Sequence, residues 1–150
     1  MIEIIELQDI TDSQIQDLLV LMKELNPEIY VDANMLRRVA ESPYSYLFAM
    51  KEEDGRILGT ATLCVFDSPT GKKAHIEDVV VLSSFRGQQL GKRLVEYLIY
   101  FACRELGTVD IYLTSSPFRV AANGLYKALG FKPKDTNVYK LIIKDSVVVS

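Results

Sequence analysis

The sequence is poor in cysteine, histidine and tryptophan. Its 150 residues include two cysteines, Cys64 and Cys103, one histidine, His75, and no tryptophan. A His-rich metal site is therefore excluded, and we expect no metal cofactor. A Ser/His/Asp triad would need the single imidazole, and no GxSxG motif accompanies it. His75 is expected to be a hydrogen-bonded structural residue near the start of a strand.

The positions of the two cysteines do not indicate a redox or disulfide function. They stand thirty-nine positions apart, each within an apolar stretch. This spacing supports neither a redox pair nor a disulfide framework, and we expect both to be core thiols.

Long hydrophobic runs are also missing. No apolar stretch approaches the roughly 20 residues that span a bilayer, and the start of the chain lacks the basic-then-apolar order of a signal peptide. We therefore expect a cytoplasmic protein with no membrane partner. The length, with 49% hydrophobic and 25% charged residues, predicts one folded domain over residues 1–150.

Charge is distributed unevenly along the chain. The net charge of −3 and the pI of about 5.2 argue against a nucleic-acid partner. Residues 1–85 hold seven Lys/Arg against fifteen Asp/Glu, a net charge of −8, whereas residues 86–144 hold ten against four, a net charge of +6. The asymmetry suggests that the second half binds an anion, although solvated acidic helices would give the same counts.

Hydrophobic periodicity and turn residues predict a mixed α/β order of elements. Strands are expected at residues 2–7, 46–50, 57–66, 74–82, 109–114 and 138–143. Helices are expected at residues 12–25, 33–41, 90–106 and 120–129. The tail, Val147 to Val149, is interpreted as an edge or interface extension, so a homodimer is among the expected assemblies.

One loop has the context of an anion site. Arg86-Gly87-Gln88-Gln89-Leu90-Gly91-Lys92 joins a predicted strand to a predicted helix, and unpaired amides at a helix start attract anions. The Walker A pattern fails here, because only three residues separate the glycines and Arg93 follows Lys92. The GxGxxG dinucleotide fingerprint is absent as well. ATP and NAD are therefore poor candidates for this loop.

The loop resembles that of the GCN5-related N-acetyltransferase (GNAT) family, in which Arg/Gln-x-x-Gly-x-Gly/Ala follows the fourth strand and binds acetyl-CoA. Arg86 and Gly91 match the ends of this pattern. Gln89 replaces the central glycine, as it does in the glucosamine-6-phosphate N-acetyltransferase branch. That branch also has a stretch similar to residues 75–81, His-Ile-Glu-Asp-Val-Val-Val.

A second stretch strengthens the resemblance. Residues 122–131 resemble the later family motif Asn-x-x-Ala-x-x-Leu-Tyr-x-x-x-Gly-Phe, with five aligned positions: Ala122, Leu125, Tyr126, Gly130 and Phe131. Arg119 stands where the family often has Asn, which puts that cofactor contact in doubt and supplies a cation instead. The resemblance covers roughly residues 2–143.

The resemblance implies a fold and a reaction. The fold would be a single domain with a mixed, mostly antiparallel sheet, helices on both faces, and a splayed fourth and fifth strand pair. The reaction would move an acetyl group from acetyl-CoA to a primary amine of a small molecule by direct attack. The alternatives are a protein N-terminal or lysine acetyltransferase, and a non-catalytic module that binds coenzyme A or a partner.

The same resemblance implies roles for individual residues. Glu77 is the candidate base and Asp78 the next, and as neighbours on a strand they should face opposite sides. Tyr126 is placed to protonate the departing thiolate. Backbone amides near Val80, Val81 and Leu82 would receive pantetheine and polarise the thioester. The cofactor residues implied are Val79, Val80, Val81, Arg86, Gly87, Gln88, Gln89, Leu90, Gly91, Lys92, Arg119, Asn123 and Tyr126. The tyrosines at positions 30, 44 and 46 either border the acceptor or serve in packing.

Overall fold

The structure is a computed structural model, and it describes residues 1–149. These residues form two compact units, the first ending at Ser115 and the second beginning at Ser116. The first unit contains β1 (Glu3–Leu7), α1 (Asp12–Leu25), α2 (Ala33–Glu41), β2 (Ser45–Lys51), β3 (Ile57–Ser68), β4 (Gly71–Val81), a 3-10 turn (Ser83–Phe85), α3 (Leu90–Glu105) and β5 (Asp110–Tyr112). The second contains α4 (Val120–Ala128), β6 (Ile142–Lys144) and β7 (Val147–Val149).

The first unit is built on a five-stranded sheet with the order β1-β2-β3-β4-β5. The pairs from β1 to β4 are antiparallel, and only β4 and β5 run parallel. The long hairpin of β3 and β4 forms the centre of the unit. The predicted mixed, mostly antiparallel sheet is confirmed.

Helices cover both faces of this sheet. Leu47 and Ala49 of β2 belong to a buried cluster with residues of α1 and α2. Phe48 lies between them in sequence, and its ring contacts Tyr97 and Phe101 of α3 at 5.5 and 5.0 Å between centroids. Successive side chains on a strand point to opposite faces. The two amino-terminal helices therefore pack on one face and α3 packs on the other, as predicted.

The position of α1 is fixed at its start and along its length. Thr11 and Gln14 form a reciprocal capping box, with side-chain to backbone distances of 3.2 and 3.0 Å. Further along, the carboxylate of Asp17 accepts a hydrogen bond of 3.1 Å from the backbone N–H of Ile57 at the start of β3. At the other end of the helix, Glu24 accepts a hydrogen bond from the backbone N–H of Ser83 in the loop that follows β4.

A bulge interrupts β4 opposite Ala61. Thr60 pairs with Val80 and Thr62 pairs with Glu77, so two residues of β4, Asp78 and Val79, oppose one residue of β3. Asp78 has a left-handed backbone, with φ of 54°. The bulge interrupts the regular alternation at this point, and both side chains are exposed. The expectation that Glu77 and Asp78 face opposite sides stays a prediction.

The parallel pair of β4 and β5 is short. β5 pairs only with Lys73, Ala74 and His75, whereas β4 continues to Val81. Within the described part of the first unit, residues 76–81 therefore have no strand partner on that edge. This divergence is the predicted splay, and β5 is shorter than the predicted 109–114.

The second unit begins with α4, whose end carries the sequence motif. Gly130 has φ of 101°, and the N–H of Phe131 donates to the carbonyl of Tyr126 at 3.0 Å. These features close the helix through a left-handed glycine. The rings of Tyr126 and Phe131 meet edge to face at 6.1 Å.

The end of the chain differs from the predicted strand at 138–143. Only Ile142–Lys144 is extended and paired, and its partner is Val147–Val149. Asp145 and Ser146, both with positive φ, form the two-residue turn between them, the geometry that favours tight hairpins. The tail is thus the second strand of a local hairpin.

Several other expectations need correction. Cys103 is exposed rather than a core thiol, and Cys64 is half-buried. His75 lies in the middle of β4 and not at its start, because the strand begins at Gly71. No helix within residues 1–149 has both the length and the apolar character needed to cross a membrane.

Candidate active site

The loop between β4 and α3 presents an uncapped helix start. Gly87 and Gln89 both have left-handed backbones, with φ of 82° and 60°, and these conformations turn the chain into α3 at Leu90. No side chain caps this helix. Its first amides therefore lack a side-chain acceptor, and the positive end of the helix dipole is available for an anion.

The backbone of Gln89 explains why a glycine suits this position. An L-residue in the left-handed region costs about 1–2 kcal/mol, whereas glycine adopts this region freely. Gln89 thus occupies a position with glycine geometry. Having glutamine in place of the central glycine of the family pattern therefore strains the backbone at this position.

Gly91, in the first turn of α3, faces open space. A Cβ atom built there would meet no heavy atom within 4 Å outside its own helix turn and chain neighbours. The fold itself therefore does not require glycine at this position. The side chain of Leu90 is buried, so Leu90 can reach a ligand only through its backbone, whereas Gln88 is exposed and Lys92 is half-buried.

The peptide groups at the end of β4 divide between two edges. The N–H of Leu82 donates to the carbonyl of Leu58 at 2.8 Å, so Leu82 cannot offer this donor to pantetheine, contrary to expectation. Residues two apart along a strand point their N–H groups the same way, which directs Val80 toward β3 as well. The peptide of Val81 consequently faces the open edge, where its carbonyl accepts from Arg86 Nε at 3.3 Å.

Glu77 lies where this open edge begins, beside an aromatic surface. Its Oε1 is 3.9 Å from Nδ1 of His75, and both side chains are partly exposed. The His75 ring stacks on Tyr112 of β5 at 5.5 Å and lies 5.7 Å from Phe66 of β3. Sequence analysis took His75 as a structural residue and did not predict its proximity to these rings, because that proximity depends on the register of three strands.

Cys64 lies near the two carboxylates but is a poor nucleophile. Burial raises the pKa of the Cys64 thiol, the hydrogen bond with Ser45 lowers it, and the charges of Glu77 and Asp78 raise it again. The net pKa is above the ordinary value. The thiolate that covalent catalysis needs is therefore disfavoured at neutral pH.

Two of the basic side chains near the loop bond to the protein itself. Besides its bond to Val81, Arg86 places a terminal nitrogen 3.7 Å from the carboxylate of Glu24 on α1. Arg93 donates to the backbone carbonyl of Ile2 at 3.3 Å. Glu24 was missed by sequence analysis, since no local pattern connects it with a loop about sixty residues away.

The second unit holds the remaining predicted residues. Arg119 immediately precedes α4 and makes no side-chain cap. The side-chain amide of Asn123 donates to the carbonyl of Ser116 at 3.0 Å, which tightens the turn before the helix. Tyr126 rests its ring against Phe131. The roles of these three residues toward a cofactor remain predictions.

The three tyrosines considered for the acceptor side differ in environment. Tyr46 packs its ring on Phe101 of α3 at 4.8 Å, so it contributes to the core. Tyr30 is exposed and donates from its hydroxyl to Asp32 at 3.1 Å, and Tyr44 is also exposed. A packing role is thus shown for Tyr46, which is half-buried, whereas Tyr30 and Tyr44 are the more exposed candidates for the acceptor side.

Comparison with known proteins gives consistent matches. The model of the Acetyltransferase (GNAT) family matches residues 12–131. Glucosamine 6-phosphate N-acetyltransferase from Arabidopsis thaliana is 37% identical over 93 residues, which cover 60% of each chain. Human N-acetyltransferase 8B is 32% identical over 111 residues, which cover 69% of this chain and 48% of the relative. The chain thus spans about half to three fifths of these curated relatives.

A solved structure extends the match to nearly the whole fold. The crystal structure of glucosamine-6-phosphate N-acetyltransferase from Arabidopsis thaliana superposes with a TM-score of 0.69 at 27% identity, covering 93% of this chain and 97% of the other. The family match covers well over half of the chain and includes both sequence motifs. The chain therefore belongs to the GNAT family of acetyltransferases.

Proposed function

We propose that this chain is an acetyl-CoA-dependent N-acetyltransferase that acetylates a primary amine of a small molecule by direct attack. The observation that carries the proposal is the continuous run from Val81 to Gly91. It joins a strand edge with an outward-facing peptide to an uncapped helix start with open space at Gly91. The family uses acetyl-CoA, whose thioester and diphosphate suit these two features in turn.

The diphosphate would lie at the start of α3. Amides of the segment from Gly87 to Lys92 would donate to its oxygens, since the dipole of a 16-residue helix favours an anion there. The excess of positive charge after residue 85 supports the same placement. Side chains contribute less, because Arg86 and Arg93 already bond to the protein.

The thioester would lie along the open edge of β4. The N–H of Val81 would donate to the carbonyl oxygen of the acetyl group, and this bond would strengthen as the oxygen gains negative charge. Val79, which is half-buried, would contribute apolar contacts to the pantetheine arm, whereas the side chain of Val80 belongs to the buried core cluster. Attack by the amine forms the C–N bond, and collapse of the intermediate breaks the C–S bond.

The family resemblance assigns the two proton transfers to Glu77 and Tyr126. Glu77 would accept the proton that the amine loses, directly or through a water molecule, because its carboxylate is exposed at the start of the open edge. Tyr126 would donate a proton to the departing thiolate. The net products are an amide and the free thiol of coenzyme A.

A small-molecule acceptor is favoured by the relatives and by the surface beside Glu77. Glucosamine 6-phosphate N-acetyltransferase is named for a small amine. In this chain the rings of His75, Tyr112 and Phe66 form a partly exposed surface against which a compact ring can pack, and Glu77 supplies a negative charge for an ammonium group.

A panel of acceptors tests the proposal. The purified chain is incubated with acetyl-CoA and with small primary amines, amino sugars, lysine peptides and peptides with free N-termini, and release of free thiol is measured. We expect thiol release with small amines. Release with peptides alone would identify a protein acetyltransferase instead. Tight binding of acetyl-CoA with no release for any amine would indicate a non-catalytic module.

A further inference from the structure

The carboxylate of Glu24, at the end of α1, accepts hydrogen bonds from the loop that follows β4. Oε2 of Glu24 accepts from the backbone N–H of Ser83 at 2.8 Å, and Oε1 accepts from the Ser83 hydroxyl at 3.1 Å. The two bonds use both carboxylate oxygens, and the Glu24 side chain is only 27% exposed. The Ser83 N–H opens the 3-10 turn and has no acceptor within that turn, so Glu24 satisfies it.

The same carboxylate is linked to the open edge of β4 through Arg86. One terminal nitrogen of Arg86 lies 3.7 Å from Glu24 Oε2, and Nε donates to the carbonyl of Val81 at 3.3 Å. The guanidinium therefore bridges α1 and the peptide that we assign to the thioester. Glu24 thus contacts the chain both before and after the 3-10 turn.

The rest of the turn is also held, which leaves little freedom before Gly87. Leu82 bonds to Leu58 at 2.8 Å, Phe85 packs against the buried cluster of α1 and α2, and the Arg56 guanidinium lies 5.7 Å from the Phe85 ring centre. Beyond Arg86 the chain enters the left-handed conformations of Gly87 and Gln89. The contacts with Glu24 therefore define where the anion-binding part of the loop begins.

The position of Glu24 within its helix argues for such a role. It lies in the last turn of α1, where the negative end of the helix dipole disfavours a carboxylate. The helix gains nothing from an acid at this place. The hydrogen-bond and charge partners that offset this unfavourable position of the Glu24 carboxylate are Ser83 and Arg86, and both lie in the loop.

We propose that Glu24 is a positioning residue for acetyl-CoA, which presets the β4–α3 loop and the Val81 peptide before the cofactor arrives. The inference rests on the proposed function, since it concerns the same cofactor. It assigns Arg86 a mainly internal role as the bridge between Glu24 and Val81. A preset loop binds more tightly because less ordering is required on binding.

Calorimetric titration with coenzyme A measures the effect without relying on activity. We expect Glu24→Ala to raise the dissociation constant about tenfold, because the loop and the Arg86 bridge lose their anchor. Glu24→Gln should stay within about threefold of the wild type, since its amide can still accept from the Ser83 N–H and donate to the hydroxyl oxygen. Ser83→Ala, which keeps the backbone bond, should lie between these two variants.

Asp17 provides a matched control on the same helix. Its carboxylate also ties α1 to a backbone N–H, but that N–H belongs to Ile57 of β3 and not to the loop residues from Ser83 to Arg86. Asp17→Ala should lower the unfolding temperature and leave the dissociation constant of coenzyme A unchanged at temperatures where it is folded. A loss of affinity in Asp17→Ala equal to that in Glu24→Ala would reduce Glu24 to a general stabilising residue and overturn the inference.

The outcomes separate this inference from the proposed function. If the wild type binds coenzyme A and Glu24→Ala binds it equally well or more tightly, the positioning role is wrong and the proposed function stands. If the wild type does not bind coenzyme A, both fail. If Glu24→Ala does not fold, the affinities of Ser83→Ala and Glu24→Gln for coenzyme A decide. Unchanged affinity in Ser83→Ala together with a full tenfold loss in Glu24→Gln would contradict the role assigned to the hydrogen bonds between Glu24 and Ser83.

Discussion

The Glu77 carboxylate lies 3.9 Å from Nδ1 of His75, at the point where β4 loses its pairing with β5. The two side chains are two residues apart on one strand and therefore share a face. The distance exceeds that of a hydrogen bond, so Glu77 remains free to accept a proton from another donor. The next residue, Asp78, is turned by the bulge and is the natural comparison.

We expect Glu77→Gln to remove the proton acceptor. With a lysine-like amine, which is mostly protonated at neutral pH, the rate should fall about 100-fold or more, and the acidic limb of the pH-rate profile should flatten. An amine of low pKa should suffer a smaller loss, because fewer protons need to be removed. The affinity for coenzyme A should barely change.

Two variants serve as controls for Glu77. Asp78→Asn removes the neighbouring charge and keeps a residue type that tolerates the left-handed backbone, so its profile should match the wild type. His75→Gln should keep the acidic limb as well. An unaltered profile in Glu77→Gln, combined with a loss in Asp78→Asn, would transfer the role of base to Asp78.

Tyr126→Phe tests the proposed proton donor in α4. A thiolate is already a fair leaving group, so we expect a loss near 100-fold, the lower end of the range for general acid catalysis. The fall in rate at alkaline pH should weaken. Tyr139→Phe, at an exposed tyrosine of the same unit, should leave the rate unchanged. Equal rates in wild type and Tyr126→Phe would remove Tyr126 from the mechanism.

The raised pKa of Cys64 predicts slow alkylation. A raised pKa lowers the thiolate fraction at neutral pH, so iodoacetamide should modify Cys64 slowly at pH 7 and progressively faster as the pH rises through that pKa. The exposed Cys103 should be modified first, as peptide mass spectrometry can show. Cys64→Ala should retain activity within about twofold, and an acetyl group trapped on Cys64 would argue for a covalent route.

Two glycine substitutions probe the core of the first unit and the helix of the second. A Cβ on Gly59 would lie 3.2 Å from the Val80 carbonyl oxygen and 3.3 Å from Val81 Cγ2, so Gly59→Ala should lower the free energy of unfolding by about 1–3 kcal/mol.

On α4, a Cβ at Gly124 would meet nothing within 4 Å. Gly124→Ala should therefore stabilise the helix by about 0.5–1 kcal/mol. Denaturation in urea measures both, and a stabilised Gly59→Ala would contradict the close packing of Gly59 against Val80 and Val81.

Local sequence signals predicted the elements and both motifs, because capping residues, periodicity and glycines act within a few positions. The predicted helix at 12–25 has the bounds of α1, and the predicted helix at 120–129 ends one residue beyond α4. The bulge at Asp78 could not be predicted from the sequence, since an aspartate within a strand does not by itself indicate a positive φ. Nor did the sequence reveal the contact of Glu24 with Ser83, which depends on how α1 lies across the sheet.

The end of the chain was mispredicted for a related reason. The apolar residues from 138 onward suggested a longer strand, but pairing is decided by the turn at Asp145 and Ser146, which matches Ile142–Lys144 with Val147–Val149. Neither residue is a glycine, so the turn was not evident from composition. The exposed Cys103 was similarly misjudged, because it follows two buried residues of α3 yet points away from the sheet.

The most direct test of the account is calorimetric titration of the purified chain with acetyl-CoA, ATP and NAD, for the wild type, Gly91→Gln and Gly91→Glu. The site at Gly91 is open, so both variants should fold. We expect acetyl-CoA to bind the wild type more tightly than ATP or NAD, Gly91→Gln to weaken that binding, and Gly91→Glu to abolish it, since a carboxylate would face the diphosphate. Tighter binding of ATP or NAD, or full affinity for acetyl-CoA in Gly91→Glu, would contradict the account.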